Sequence, residues 1–146
     1  MYERKDHFYQ RAKIEGHASR AVYKLQEIQK KFRILKAGDR VLELGAAPGG
    51  WIKEIAKWVG NKGVVIACDL LPLQIPVPSN VQFFQLDFTQ LATQLSVDPF
   101  DVILSDISPN LSGIAFRDTY QSYELAKQII ELCPRWLLPK GSLTCK

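Results

Sequence analysis

The chain has 146 residues, 47% of them hydrophobic and 23% charged, with a net charge of +4. This length fits one domain, and the composition is typical of a globular protein rather than a disordered or fibrous one. No apolar run approaches the ~20 residues that a membrane helix needs, and no apolar stretch follows the charged N-terminus. Neither a membrane-spanning helix nor a secretory signal is therefore expected.

The charge is unevenly distributed along the chain. Residues 1–36 hold ten Lys and Arg against four Asp and Glu, a local charge of +6, whereas residues 37–146 hold nine against eleven. A basic segment beside a slightly acidic body favours a surface that docks a polyanion such as nucleic acid, although a solvated helix face has the same composition. We expect a basic docking segment with a helix in 1–36, packed on a core formed by 37–146.

Cysteine and histidine usage gives little support for a metal site. The three cysteines, Cys68, Cys133 and Cys145, form no C-x-x-C pair. The two histidines, His7 and His17, have no Cys or carboxylate at ligand spacing. This pattern predicts reduced thiols, an intracellular protein and no bound metal.

Periodicity predicts strands alternating with helices. A helix is expected over 18–32 from its apolar face, with Ser19 as a cap and Lys24 on the flank of that face. Apolar runs predict strands at 40–44, 64–68, 81–86, 100–105 and 142–146, with helices at 51–59, 89–95 and 119–137 between them. A loop is expected over 107–117, a kink at Pro134, and a turn over 139–141. The result is a doubly wound α/β fold, with a mostly parallel sheet, helices on both faces, and a sheet truncated at its fifth strand.

A glycine-rich turn follows the first predicted strand. Gly45, Gly49 and Gly50 allow a ligand to approach the backbone closely at the start of a helix. The spacing is G-x-x-x-G-G, which differs from the G-x-G-x-x-G pattern of dinucleotide enzymes. A glycine turn by itself is weak evidence for a ligand site.

Three aspartates close three of the predicted strands. Asp69, Asp87 and Asp106 each follow an apolar run, and the carboxyl ends of strands in an open α/β sheet face one crevice. Each is alternatively a helix cap or a turn former. Three on one edge behind a glycine turn favour a nucleoside-containing cofactor. Lys24 and Lys146 are both expected to converge near Asp106, although Lys146 is equally well read as an exposed terminal residue.

Four blocks at consistent spacing resemble the FtsJ/RrmJ family of ribosomal RNA ribose 2′-O-methyltransferases, with a likeness from about Phe8 to Lys146. They are 19–25 (SRAVYKL), 44–51 (LGAAPGGW), 67–72 (ACDLLP) and 105–113 (SDISPNLSG). The resemblance implies a Rossmann-like methyltransferase fold with S-adenosylmethionine as the cofactor.

The resemblance also implies individual roles. Gly49, Trp51, Asp69, Asp87 and Asp106 are expected to bind the cofactor, with Asp69 at its ribose, Asp87 at its adenine and Asp106 at its methionine part. The family's catalytic Lys-Asp-Lys-Glu set falls on Lys24, Asp106 and Lys146, and its glutamate has no counterpart here.

The function expected from the sequence is methyl transfer from S-adenosylmethionine to a ribose 2′-hydroxyl of large-subunit ribosomal RNA, within the ribosomal particle. Lys146 is expected to accept the hydroxyl proton. We expect a monomer in the cytoplasm, or in mitochondria if the source is eukaryotic, without membrane partners. Three alternatives stay open: a transfer RNA ribose methyltransferase, a non-catalytic RNA- or cofactor-binding domain, and a nicotinamide-dependent dehydrogenase.

Overall fold

The computed structural model describes residues 7–16, 19–94 and 98–145. Its strands form one sheet in the order β3-β2-β1-β4-β5, and every neighbouring pair is parallel. The predicted α/β fold with a parallel sheet is confirmed. The strands are β1 (Arg40–Leu44), β2 (Val64–Asp69), β3 (Val81–Gln85), β4 (Phe100–Ser105) and β5 (Leu137–Cys145).

Helices cover both faces of the sheet. The helices of the described residues are α1 (His7–Ile14), α2 (Ala21–Phe32), α3 (Ile52–Val59), α4 (Leu91–Gln94) and α5 (Ala115–Trp136), with a 3₁₀ turn at Phe88–Gln90. Among the helices of the described residues, none is both long enough and apolar enough to cross a bilayer.

Two apolar layers hold the helices on the sheet, because successive side chains of a strand point to opposite faces. Val41 of β1 lies in the layer that includes Leu25 of α2 and Ile55 of α3. Leu42 of β1 lies in the opposite layer with Ile129 of α5. Apolar burial on both faces explains why β2 and the interior of β4 are almost continuously hydrophobic.

The strand order places a crevice at the centre of the sheet. β1 pairs with β2 on one side and with β4 on the other. The chain therefore leaves these central strands in opposite directions, and their carboxyl ends open a crevice between the two connections. The glycine turn after β1 and the loop after β4 form the two sides of this crevice.

The largest difference from the sequence-based expectation is at β5. A turn was expected over 139–141, but the strand begins at Leu137, which pairs with Phe100 of β4. The register then shifts before Ser142 pairs with Val102, and Lys140 in this segment has a φ of 69°. The turn residues are therefore accommodated as an irregularity within a longer strand.

The helix boundaries differ less. The structure adds α1, for which no periodicity was recognised, and begins α5 at Ala115 rather than at residue 119. Helix α5 continues past Pro134 to Trp136, whose side chain is only 1% exposed. Burial of that indole favours continuation of the helix beyond the proline.

Candidate active site

The glycine turn brings the backbone of β1 into contact with the loop after β4. Gly45 has a φ of 79°, and a Cβ atom there would lie 2.7 Å from the backbone nitrogen of Ile107. Only glycine tolerates both this conformation and this approach. Gly49 has a φ of 112°, and a Cβ atom there would lie 2.6 Å from Cγ1 of Ile75. Two of the three glycines that the sequence singled out are therefore required by the backbone and its packing.

Asp69 ties the end of β2 to the glycine turn. Its Oδ2 accepts a hydrogen bond from the backbone nitrogen of Ala47 at 2.9 Å, and its Oδ1 accepts one from that of Leu71, also at 2.9 Å. These bonds fix the direction of the carboxylate at the carboxyl edge. Each oxygen keeps a second lone pair for a donor from a ligand.

Asp87 is both a cap and a member of the same edge. Its Oδ1 accepts hydrogen bonds from the backbone nitrogen of Thr89 at 2.9 Å and from its hydroxyl at 2.6 Å. Asp87 therefore does act as a helix cap, but this role uses only one of its two carboxylate oxygens. The other is available to a ligand.

The three aspartates line one cleft of about 410 Å³, which lies within the range of ~300–1,000 Å³ usual for small-molecule sites. Its walls come from the glycine turn, from the segments after β2, β3 and β4, and from one residue of α5. The lining residues are Gly45, Ala47, Cys68, Asp69, Leu70, Leu71, Leu86, Asp87, Phe88, Asp106, Ile107, Ser108, Pro109, Asn110 and Leu125.

A fourth carboxyl group lies beneath this cleft. Glu43 of β1 is only 2% exposed, and its Oε2 has no hydrogen-bond partner within the described residues. Burial raises the pKa of Glu43 well above its ordinary value, and the negative charges of Asp106 and Asp69 raise it further. A strongly acidic edge favours a cationic ligand.

The thiol of Cys68 is not suited to nucleophilic chemistry, although Cys68 lines the cleft. Burial raises its pKa to about 12, and the thiol donates to the carbonyl oxygen of Leu86 at 3.1 Å. It is therefore protonated and serves as an apolar wall. Across the ranges 7–16, 19–94 and 98–145, no group of three or more His, Cys, Asp or Glu residues is placed to hold a metal ion.

Two of the predicted cofactor residues lie behind the cleft rather than in its lining. Trp51 is 3% exposed and donates from Nε1 to the carbonyl oxygen of Ala21 at 2.7 Å. Gly49 is buried against Ile75. Neither lines the cleft, so any contact of theirs with a cofactor would have to come from the turn's backbone or follow a change in the turn.

The structure describes only one of the two predicted catalytic lysines. Lys24 is exposed on α2, one turn beyond the contact between Trp51 and Ala21, and does not itself line the cleft. Ser19 lies against Gly50, and its hydroxyl accepts from the backbone nitrogen of Ala21 at 2.9 Å, although the N-cap residue of α2 is Arg20 rather than Ser19. Lys146 lies outside the described residues. The catalytic roles of both lysines stay predictions.

One carboxylate that the sequence reasoning missed organises the loop after β4. Asp118 of α5 accepts hydrogen bonds from the backbone nitrogen and the hydroxyl of Ser112, at 2.8 and 2.7 Å, and from the backbone nitrogen of Gly113 at 3.1 Å. The hydroxyl of Ser112, together with these backbone donors, holds the pKa of Asp118 below its usual value. An Asp six residues after a serine in a loop is too common a pattern to have been singled out.

Glu43 was also missed, although it left a signal. It is the one charged residue inside the apolar run 41–44, directly before the glycine turn. A carboxylate in such a position is costly unless it is neutral or paired. That cost could have marked Glu43 as part of the site.

A parallel α/β sheet with a glycine turn and acidic groups at the ends of β2, β3 and β4 defines a protein that binds a nucleoside-containing cofactor. The family model for FtsJ-like methyltransferases matches residues 17–146, and the chain belongs to this family. It is therefore an S-adenosylmethionine-dependent methyltransferase, and the family resemblance inferred from the sequence is confirmed.

Relatives of known name are similar over nearly the whole chain. A protein of Syntrophobacter fumaroxidans named ribosomal RNA large subunit methyltransferase E is 44% identical over 149 residues, covering 99% of this chain and 76% of that protein. A protein of the same name from Bdellovibrio bacteriovorus is 37% identical, with coverage of 99% and 76%.

Solved structures agree on the fold. A Plasmodium falciparum protein described as a ribosomal RNA methyltransferase superposes with a TM-score of 0.76 at 28% identity, covering 88% of this chain and 77% of that one. Fibrillarin of Aeropyrum pernix, crystallised with natively bound S-adenosyl-L-methionine, shares the fold at a TM-score of 0.54 and 16% identity, covering 77% and 46%.

Proposed function

We propose that this chain transfers the methyl group of S-adenosylmethionine to a ribose 2′-hydroxyl of large-subunit ribosomal RNA. The observation that carries the proposal is the convergence of Asp69, Asp87 and Asp106 on one cleft beside the glycine turn. The names of the relatives at 44% and 37% identity support ribosomal RNA as the substrate.

The residues of the cleft fit the cofactor. Carboxylate oxygens accept hydrogen bonds, which suits the ribose hydroxyls for Asp69, the adenine amino group for Asp87 and the methionine ammonium group for Asp106. The apolar wall formed by Leu71, Phe88 and Ile107 suits a flat base. When bound, the cofactor would supply an electrophilic methyl group on a positively charged sulfur, with the neutral thioether as the leaving group.

Two lysines act on the substrate hydroxyl in this proposal. A ribose hydroxyl is a weak nucleophile until its proton is removed, and Lys146 is the proposed acceptor of that proton. Lys24 orients the hydroxyl, and Asp106 holds the ammonium group of Lys24 and the neutral amine of Lys146, which becomes an ammonium group when it takes the proton. The packing of Ala21 and Ser19 against the glycine turn supports the role of Lys24, because it anchors the start of α2 beside the cleft.

The basic N-terminal part of the chain docks the RNA in this proposal. Lys13 and Arg20 are exposed, and Arg11 bonds Glu15 at 2.7 Å while lying 5.0 Å from the ring centroid of Tyr23. Phosphate contacts by these side chains give an affinity that falls with salt. Arg4 and Lys5, also in the basic segment 1–36, lie outside the described residues. A cytoplasmic monomer acting on the ribosomal particle completes the proposal.

The test is mass mapping of methylation after incubation of the protein with large-subunit ribosomal RNA and isotopically labelled cofactor. We expect one labelled ribose, and no label with Asp106→Asn. Lys146→Ala is expected to abolish transfer while leaving cofactor binding by calorimetry unchanged. Label on a base, or on transfer RNA in preference to ribosomal RNA, would contradict the proposal.

A further inference from the structure

The first half of α5 contributes little to the core. The fully buried residues of this helix, Ile129 and Trp136, both lie in its second half. In the first three turns, residues 115–124, every side chain is exposed or half-buried. This part of the helix starts at the carboxyl edge of the sheet, where the cleft opens, because it follows the loop after β4.

Three aromatic side chains share one exposed face of this half-helix. Phe116, Tyr120 and Tyr123 follow one another at spacings of four and three residues, so they lie in one row along the axis. They are 85%, 57% and 61% exposed. Ile129 and Trp136 lie about 120–180° around the helix from these three side chains at ~100° per residue, on the side that packs against the sheet. We name Phe116, Tyr120 and Tyr123 the aromatic row.

The aromatic row borders the cofactor cleft. Pro109, Asn110 and Leu125 line that cleft, and the same three residues line a second depression of about 350 Å³ whose other wall includes Tyr120. The two depressions are therefore continuous along the rim formed by the loop after β4. An RNA strand that passes over the cleft to present a ribose hydroxyl to the methyl group would next contact the aromatic row.

We propose that the aromatic row is a docking surface for unpaired nucleotides that flank the methylated ribose. This rests on the proposed function, since it assigns the surface that receives the RNA beside the reacting group. Flat rings offer stacking surfaces to any base, and Phe116 to Tyr123 spans about 10 Å at ~1.5 Å per residue. That length accommodates about three nucleotides at ~3.4 Å each.

The charges around the aromatic row are mixed, so it is the position of the row that favours RNA over a protein partner. Arg117 and Lys127 are exposed on the same helix, where they can meet phosphates, while Glu124 lines the depression beside Tyr120. Because that depression continues into the cofactor cleft, RNA that presents a ribose to the methyl donor would also reach the row. Exposed rings near cations are typical of surfaces that bind single-stranded nucleic acid. Self-association is the alternative to be tested, because aliphatic side chains before and after the row are also exposed: Leu111, Ile114 and Ile130.

Binding of a fluorescein-labelled single-stranded oligoribonucleotide, followed by anisotropy, tests the proposal. Loss of one stacking ring weakens binding by roughly 5- to 150-fold, so we expect Tyr120→Ala to lower the affinity at least about five-fold. Tyr120→Trp is expected to retain binding, whereas Tyr120→Leu is not, because leucine keeps the apolar surface but offers no ring. The thermal midpoint of each variant is expected to stay unchanged, since the ring is exposed.

Val64→Ala is the control. Val64 is 40% exposed and begins β2, at the opposite end of that strand from Asp69 and the cleft. It is expected to bind the oligoribonucleotide as the unmodified protein does. Equal loss of affinity in Val64→Ala and Tyr120→Ala would overturn the proposal, as would full binding by Tyr120→Leu.

Two further readouts separate this proposal from its alternatives and from the proposed function. In sedimentation, the unmodified protein and Tyr120→Ala are expected to show the same degree of self-association. Self-association that Tyr120→Ala removes would instead assign the row to contact with a second copy of this chain. If the protein binds the cofactor and the oligoribonucleotide but methylates no ribosomal RNA, the proposed function fails while the aromatic row stands. If methylation occurs with an unchanged KM for RNA in Tyr120→Ala, the aromatic row fails while the function stands.

Discussion

The two loops that flank the cleft are held in place by different means. The glycine turn is fixed by burial: Trp51 is 3% exposed and bonded to Ala21, and Asp69 holds Ala47. The loop after β4 is held at its outer half by Asp118, through hydrogen bonds that are open to solvent. Segments with few buried contacts open most readily. The side of the cleft formed by the glycine turn is thus preorganised, while the outer half of the loop after β4 is free to adjust.

The largest expected effect comes from a substitution in the glycine turn, on the buried side of the cleft. Gly45→Ala places an L-residue at a φ of 79° and a Cβ atom 2.7 Å from the backbone of Ile107. Positive φ costs about 1–2 kcal/mol and overpacking about 1–3 kcal/mol, so urea unfolding is expected to show a loss of about 2–5 kcal/mol. Gly38→Ala is the control, because its φ is 89° and no atom lies within 4 Å. A loss in Gly45→Ala no greater than in Gly38→Ala would contradict the close contact.

The next effect tests Asp69 as the link between turn and cofactor. Asp69→Asn leaves one acceptor oxygen for the two backbone donors of Ala47 and Leu71. Hydrogen bonds to charged groups are worth about 1.5–3 kcal/mol, so cofactor affinity by calorimetry is expected to fall roughly 10- to 100-fold. Asp98→Asn, an exposed change outside the cleft, is expected to leave it unaltered. Undiminished affinity in Asp69→Asn would remove this residue from the cofactor site.

A third effect concerns the buried carboxyl of Glu43 and depends on pH. Because its pKa is raised in the folded state, the folded protein holds this proton above pH ~4.5 while the unfolded chain releases it. Below pH ~4.5 Glu43 therefore does not lower the free energy of unfolding. As the pH rises from there toward the folded pKa, the free energy of unfolding falls by about 1.4 kcal/mol per pH unit. Glu43→Gln is expected to gain stability relative to the unmodified protein between pH 4.5 and 8 in thermal unfolding. If the gain in stability of Glu43→Gln does not increase with pH, Glu43 is not a buried group that ionises. Glu27→Gln, on the exposed surface of α2, is the control.

The smallest effect is expected on the exposed side. Asp118 has a lowered pKa, so its bonds to Ser112 and Gly113 are present above pH ~3.8 and are lost as pH falls through the folded pKa. Hydrogen exchange at these two amides is expected to be faster in Asp118→Asn at neutral pH, with no change in global unfolding. Equal exchange in both proteins would show that Asp118 does not hold the loop.

The central strands could be located from the sequence because burial on both faces of the sheet restricts most of their residues to apolar types. The predicted bounds of β1 and β4 match the structure residue for residue, and the apolar side chains of both strands are buried. Buried parallel strands have no polar face, so their ends coincide with the return of charged residues. The convergence of Asp69, Asp87 and Asp106 on one edge follows from the same parallel arrangement.

Features that depend on pairing between distant segments could not be read from the sequence. Local turn residues predicted a break at 139–141, but pairing of Leu137 with Phe100 extends β5 through it. Likewise the early start of α5 is accompanied by Asp118 bonding back to Ser112, a contact that no helix propensity encodes. In both places a tertiary contact overrides a local preference.

The contact between Gly45 and Ile107 joins the two loops at a single point. With backbone against backbone there, neither loop can swing at its root without displacing the other. Breathing of the cleft is consequently confined to the outer parts of the loops, beyond this joint. A ligand can widen the entrance, but the floor of the cleft keeps its dimensions.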